Sequence, residues 1–229
     1  MTESILSAEL EIVRNARSRR AKLSVDPASG RVRLTLPARA PLKAALRWAT
    51  EQREWIDRQR ARLPQARPLV AGALVWIDDG ERLIDWDESR PRRVTIEGNR
   101  LICGGPADGL SRRIELWLRR EALRVLSAET AEFAAKAGVT VASVAIGDPK
   151  ARWGSCTSRG AIRYSWRLLL APRFVRRSTV AHEIAHRIHM HHGPEFHALA
   201  DALTEGDPAE SRAWLRAHGA ALHWVGRAS

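Results

Sequence analysis

The sequence is poor in cysteine, in lysine and in long apolar runs, and each shortage removes a class of protein. Cys103 and Cys156 are its only cysteines. They are too few for a disulfide framework and share no CxxC spacing, so a reducing compartment is expected and neither is half of a zinc ribbon. No apolar run approaches the roughly 18 residues of a membrane span, and Glu3, Glu9 and Glu11 stand where a secretory leader would be apolar. A cytoplasmic protein with no membrane association is the expectation. There is no repeat and no low-complexity tract.

What remains is a chain of 229 residues, 45% hydrophobic, long enough for one domain or two small ones. Its formal charge of +12 would draw polyanions. That charge is nearly all arginine, however, since Lys22, Lys43, Lys136 and Lys150 are the only lysines. Such a bias accompanies GC-rich coding sequence, so composition alone gives a nucleic-acid partner weak support. The oligomeric state is not legible.

Hydropathy patterning predicts an α+β fold. Residues 11–37 read as a hairpin closed by DPASG, with Val32, Leu34 and Leu36 alternating against polar neighbours. A helix follows from Pro41 to Leu63, then a small meander over 72–105, then a long helix stopped by Gly138. A second hairpin is expected from VTVASVAIG and AIRYSWRLLLAP, with Ile162, Tyr164, Trp166 and Leu168 on one face. Three further helices complete the chain. This divides into an N-terminal β-rich region with one helix, 1–105, and a metallohydrolase region, 106–229, which are expected to form one compact unit.

The stretch TVAHEIAHRIHMHHGPEF holds five of the eight histidines. His182 and His186, four apart in an apolar helical context, stack on one helix face and can converge on one ion. Three protein ligands with one open position suit a catalytic zinc, a single Zn2+. On a continuing helix His189 would lie about 10 Å along the axis from His182. Gly193 and Pro194 signal a break just after His192, which lets that residue swing back over the pair. The spacing therefore favours His192 as third ligand over His189, His191 and His197, with Glu205 or Glu210 as the carboxylate alternative. Glu195 and Asp201 read as a helix N-terminal charge and as a partner for a ligand imidazole. Glu183, beside a ligand but off the shared stripe, is placed to act as general base on a metal-activated water.

KARWGSCTSRGAIRYSWRLLLAP followed by VAHEIAHRIHMHHGPEF resembles the YgjP-like proteins, a family grouped with zinc metallopeptidases. The N-terminal hairpin and the following helix with WI are also similar, so the resemblance spans most of the chain. It implies a zincin-like core, His182, His186 and His192 as ligands, and Glu183 as base. His191 and Ser165 depart from the pattern, where asparagine is usual. In that arrangement Arg152, Trp153, Arg163 and Tyr164 border the cleft and are the candidate substrate contacts. The simpler reading of RWGSC is structural: a buried Trp153 anchoring a turn built on Gly154 and Ser155. Cys156 has no paired base and is not expected to be a nucleophile.

Two substrates of different chemistry fit. A peptide could add to a sheet edge beside the site, which makes a metallopeptidase the leading expectation. Some family members are described as UTP pyrophosphatases, releasing UMP and pyrophosphate. Arg152, Arg159, Arg163 and Arg167 are what that chemistry would want. The HGPEF ending also resembles Spartan-like, DNA-associated proteases, but no basic domain or reading helix accompanies it.

Overall fold

The computed structural model describes residues 10–227, so Glu3 and Glu9 lie outside the described residues. The chain is mixed α+β, with six α-helices and three small sheets among the described residues, and it divides into two compact units, Met1–Gln65 and Ala66–Ser229.

In the first unit, strands β1 (Leu10–Arg14), β2 (Lys22–Val25) and β3 (Val32–Leu36) form a sheet in the order β1-β3-β2. The hairpin of β2 and β3 is as expected, but the long first strand is broken. Asn15 Oδ1 accepts from Arg17 N at 2.9 Å and Asn15 O from Ser18 N at 3.0 Å. That turn leaves β1 to pair parallel with the far side of β3. Val32, Leu34 and Leu36 are buried against Ala45, Ala49 and Ile56, as their alternation requires. The single helix expected after Pro41 is two, α1 (Leu42–Glu51) and α2 (Arg53–Arg60), broken at Gln52 with φ −88° and ψ 13°. Just before the break Thr50 Oγ1 donates to Leu46 O at 3.0 Å, a back-bond that bends helices.

The second unit begins with β4 (Leu74–Ile77), β5 (Gly80–Trp86), β6 (Thr95–Glu97) and β7 (Arg100–Cys103), ordered β4-β5-β7-β6. This is not a plain meander, because β5 and β7 run parallel and β6 forms the outer strand. Helix α3 (Leu110–Ala137) ends where Gly138 adopts φ 66°, the left-handed stop its sequence predicts. The third sheet holds β8 (Ser143–Gly147), β9 (Gly154–Cys156) and β10 (Ala161–Ser165) in the order β8-β10-β9. The expected hairpin of β8 with β10 is a parallel pair, and the antiparallel partner of β10 is the WGSC segment itself. A buried 3₁₀ turn, Trp166–Leu170, leads into α4 (Arg173–Ala185), α5 (Pro194–Leu203) and α6 (Pro208–Leu222). Ser165 Oγ accepts from Arg167 N at 3.4 Å at the start of that turn.

Val75, Ile77, Ile84 and Leu101 of the first of these sheets share one core with Ile114 and Phe133 of α3 and Val180 and Ile184 of α4. One core thus joins residues on both sides of position 105 within the second unit. Helix α4 is pinned by two buried arginines. Arg176 donates to Glu129 of α3 at 2.8 Å and to Asp78 at 2.7 Å. Arg177 donates to Glu132 at 2.7 Å and to Glu205 at 2.6 Å. Three elements thus fix the helix that carries the histidines.

Candidate metal centre and cleft

Helix α4 starts after Pro172, whose fixed φ of −53° suits a helix entry, and buries Val175, Val180, Ala181 and Ile184. It ends at His186, not at the Gly193–Pro194 break. The chain then turns through 187–192, and Pro194 opens α5 at its first position. The short turn returns His192 to the helix. His192 Nε2 lies 3.2 Å from His182 Nε2, and donor atoms of His182, His186 and His192 all lie within 4.8 Å of one another. Nitrogens sharing a tetrahedral zinc at about 2.0–2.1 Å would stand roughly 3.4 Å apart. Among the described residues no other group of histidine, cysteine or carboxylate donors is close enough to share an ion.

Protonation state favours a metal. His186 Nδ1 lies 3.1 Å from the backbone oxygen of His189, which can only accept, so Nδ1 carries the proton and Nε2 keeps its lone pair. Burial, then the neighbouring His186 and His192, push the His182 pKa down to about 4. Burial also lowers that of His186. His182 and His186 are therefore held toward the neutral form that ligation requires. Phe196 of α5 fills the space beneath them, its ring centroid 4.5 Å from His186, 4.6 Å from His192 and 4.9 Å from His182.

Glu183 is 4% exposed and its Oε2 has no hydrogen-bond partner. Burial raises its pKa to about 7, opposed by the nearby charge of Arg152. A divalent ion beside it would favour the carboxylate again. Its side chain lies against β9: a Cβ on Gly154 would stand 2.7 Å from Glu183 Cγ and 2.8 Å from Cδ. The glycine of WGSC is thus a strand position that admits the carboxylate, a role its reading as a turn residue did not anticipate. Next to it a cleft of about 270 Å³ is lined by Arg152, Trp153, His182 and Glu183 on one side and Asp201, Arg212 and Leu215 on the other.

A family model for the YgjP-like, metallopeptidase domain matches residues 19–218. The chain belongs to the YgjP-like metallopeptidase family. No curated protein and no solved structure matches it. Membership suggests an enzyme of the hydrolase type and a bound metal, and no helix is long and apolar enough to cross a membrane.

Within this YgjP-like domain the other residues singled out from sequence divide sharply. Arg152 and Trp153 line the cleft, and Trp153 stacks on His223 with centroids 5.2 Å apart. Tyr164 does not reach it; the side chain is fully buried and its hydroxyl lies 3.1 Å from Thr130 Oγ1. Arg163 is exposed on the opposite side of β10, which alternation along a strand requires once Tyr164 faces the core. Arg159 is exposed in the turn after β9. Arg167 is consumed by Asp148 at 2.7 Å and by the carbonyl of Val225 at 3.0 Å. Of the four arginines expected at the cleft, only Arg152 lines it. Glu205 is held by Arg177, and Glu210 sits in the first turn of α6. His189 contributes its carbonyl and approaches Glu195 at 3.7 Å, while His191 and His197 are exposed. Burial pushes the Cys156 thiol up. Asp201 faces Arg212 at 4.0 Å, a loose pair. Sequence reasoning missed Arg212, whose only signal is a helical position seven residues before Gly219, and Phe196, whose signal was an aromatic two residues past a helix-opening proline.

Proposed function

We propose that this domain is a zinc-dependent peptidase on a zincin-like core, with His182, His186 and His192 holding one ion and Glu183 acting as general base. The observation that carries this reading is the meeting of three imidazoles beside a buried carboxylate oxygen with no hydrogen-bond partner. When bound, zinc supplies a Lewis acid that acidifies water and polarises the scissile carbonyl. Glu183 takes the proton from the attacking water and returns it to the leaving amine. Gly154 and the burial around Glu183 keep its carboxylate poorly solvated and therefore basic.

The substrate reading rests on the sheet beside the site. Strand β10 is paired on both edges, whereas β9 pairs only with β10 among the described residues. The outer edge of β9 can receive an extended peptide by strand addition, with Trp153 and Leu215 walling the cleft. One observation favours phosphoanhydride hydrolysis of UTP instead: Arg152 and Arg212 both line the cleft, and paired guanidinium forks grip phosphates. Zinc-loaded protein assayed on a peptide library and on UTP separates the two. Peptide cleavage is expected, with Glu183→Gln retaining zinc and losing on the order of 10²- to 10⁴-fold in kcat/KM. UTP turnover without peptide cleavage would replace the peptidase reading, and no turnover of either by zinc-loaded protein would sink both.

A further inference from the structure

The second unit has a cavity larger than the cleft. It is an open groove of about 680 Å³ along the face of α3 turned away from the buried stripe of Ile114, Leu118 and Ala122. Five arginines line it: Arg92 and Arg93 before β6, and Arg113, Arg119 and Arg120 on α3. Among the described residues, Arg119 alone of the five is ion-paired, to Glu115 at 2.7 Å. Arg113 donates to the backbone oxygen of Pro106 at 2.6 Å, a bond that leaves its charge uncompensated. Arg92, Arg93 and Arg120 form no ion pair among the described residues and are exposed. The rest of the wall is apolar: Trp117, with Leu116 50% exposed and Leu123 37% exposed.

Cation and apolar surface alternate along the helix. Arg113, the Leu116–Trp117 pair, Arg120 and Leu123 follow at helical spacing, so the two arginines stand about 10 Å apart with an aromatic plane between them. A chain of phosphates and bases alternates in the same way. Guanidinium forks meet phosphate oxygens, and the half-buried indole of Trp117, lining the groove between them, offers a stacking surface that is tolerant of base identity. A peptide of acidic residues alone would satisfy the charges but would leave the aromatic and leucine positions uncovered. We propose that this groove binds single-stranded nucleic acid without sequence preference. It shares no lining residue with the cleft beside the histidine cluster, so the proposal is independent of the hydrolase reading.

The test uses full-length, zinc-loaded protein with fluorescein-labelled oligo(dT), oligo(U) and polyglutamate of matched length, read by anisotropy across a salt series. Binding of either oligonucleotide with an affinity that falls as salt rises is expected, at about 0.7 logarithmic units per phosphate contact. Neutralising Arg92, Arg93 and Arg120 to glutamine should weaken it at least ten-fold and flatten the slope by about 2. Trp117→Leu, which keeps the apolar packing, should weaken it about five-fold or more and leave the slope unchanged. All variants should retain the wild-type melting curve and zinc content. Failure of the wild type to bind either oligonucleotide at low salt overturns the proposal. So does unchanged affinity in the triple variant, or polyglutamate binding that equals the oligonucleotides and ignores Trp117→Leu.

Discussion

The two ends of helix α4 bury charged side chains to opposite effect. At its N-terminal half Arg176 and Arg177 each receive carboxylates from two other elements, at 2.6–2.8 Å. At its C-terminal end Glu183 is as deeply buried, yet one oxygen has no hydrogen-bond partner, and the neighbouring imidazoles are pushed toward neutrality. Buried polar groups are normally satisfied because leaving one unpaired is costly. Arg176 also keeps one unpartnered nitrogen, Nη1, but its charge is met by two carboxylates, whereas Glu183 forms no ion pair among the described residues, which marks the end where chemistry, rather than stability, selects the residue. The paired end holds the helix still so that the unpaired end is presented in one geometry.

Breaking each end should therefore read out differently. The largest effect belongs to Glu183→Gln: with kcat/KM down 10²- to 10⁴-fold as given above, a melting curve should show stability unchanged or raised, since a poorly solvated carboxyl is replaced by a neutral amide. Glu129→Gln at the other end should cost about 3–5 kcal/mol in urea denaturation, because Arg176, 2% exposed in its side chain, is left buried with Asp78 alone. Adding Arg176→Met to a Glu129→Leu background should recover most of that loss. Gly154→Ala forces Glu183 aside, and displacement of this kind costs roughly 10²-fold in kcat/KM; zinc content and melting temperature should hold.

The smallest effect is a pH dependence at the paired end. Arg177 lowers the pKa values of Glu132 and Glu205 to about 2 from an ordinary 4.5. Depressed carboxylate values stabilise the fold above about 4.5, and that contribution is lost as pH falls toward about 2. Both carboxylates are about half exposed, so solvent screening keeps the effect modest. In Arg177→Met the fall of melting temperature between pH 4.5 and 2 should be shallower than in wild type.

How much of this could be read in advance follows the range of the interactions. The four-residue spacing of His182 and His186, and the Gly-Pro break after His192, are local signals, and the structure gathers those three side chains. The helix start at Pro194 and the stop at Gly138 were legible for the same reason, whereas the end of α4 at His186 was not. The sheets were not, because β1 with β3 and β8 with β10 pair parallel across long connections that period-two alternation does not encode. WGSC looked like a turn because two small residues suggest one, whereas Gly154 is small to admit Glu183, a contact 29 positions away. Arg167 looked available for phosphate because nothing local reveals that Asp148 and the end of α6 claim it.

The account stands most directly on the metal content of the purified protein, measured for wild type and His192→Ala after dialysis against a competing chelator. It predicts one zinc per chain in the wild type and loss of that zinc from a His192→Ala variant that still melts like the wild type. A wild type that binds no metal, or a His192→Ala variant that holds zinc as tightly, would contradict it.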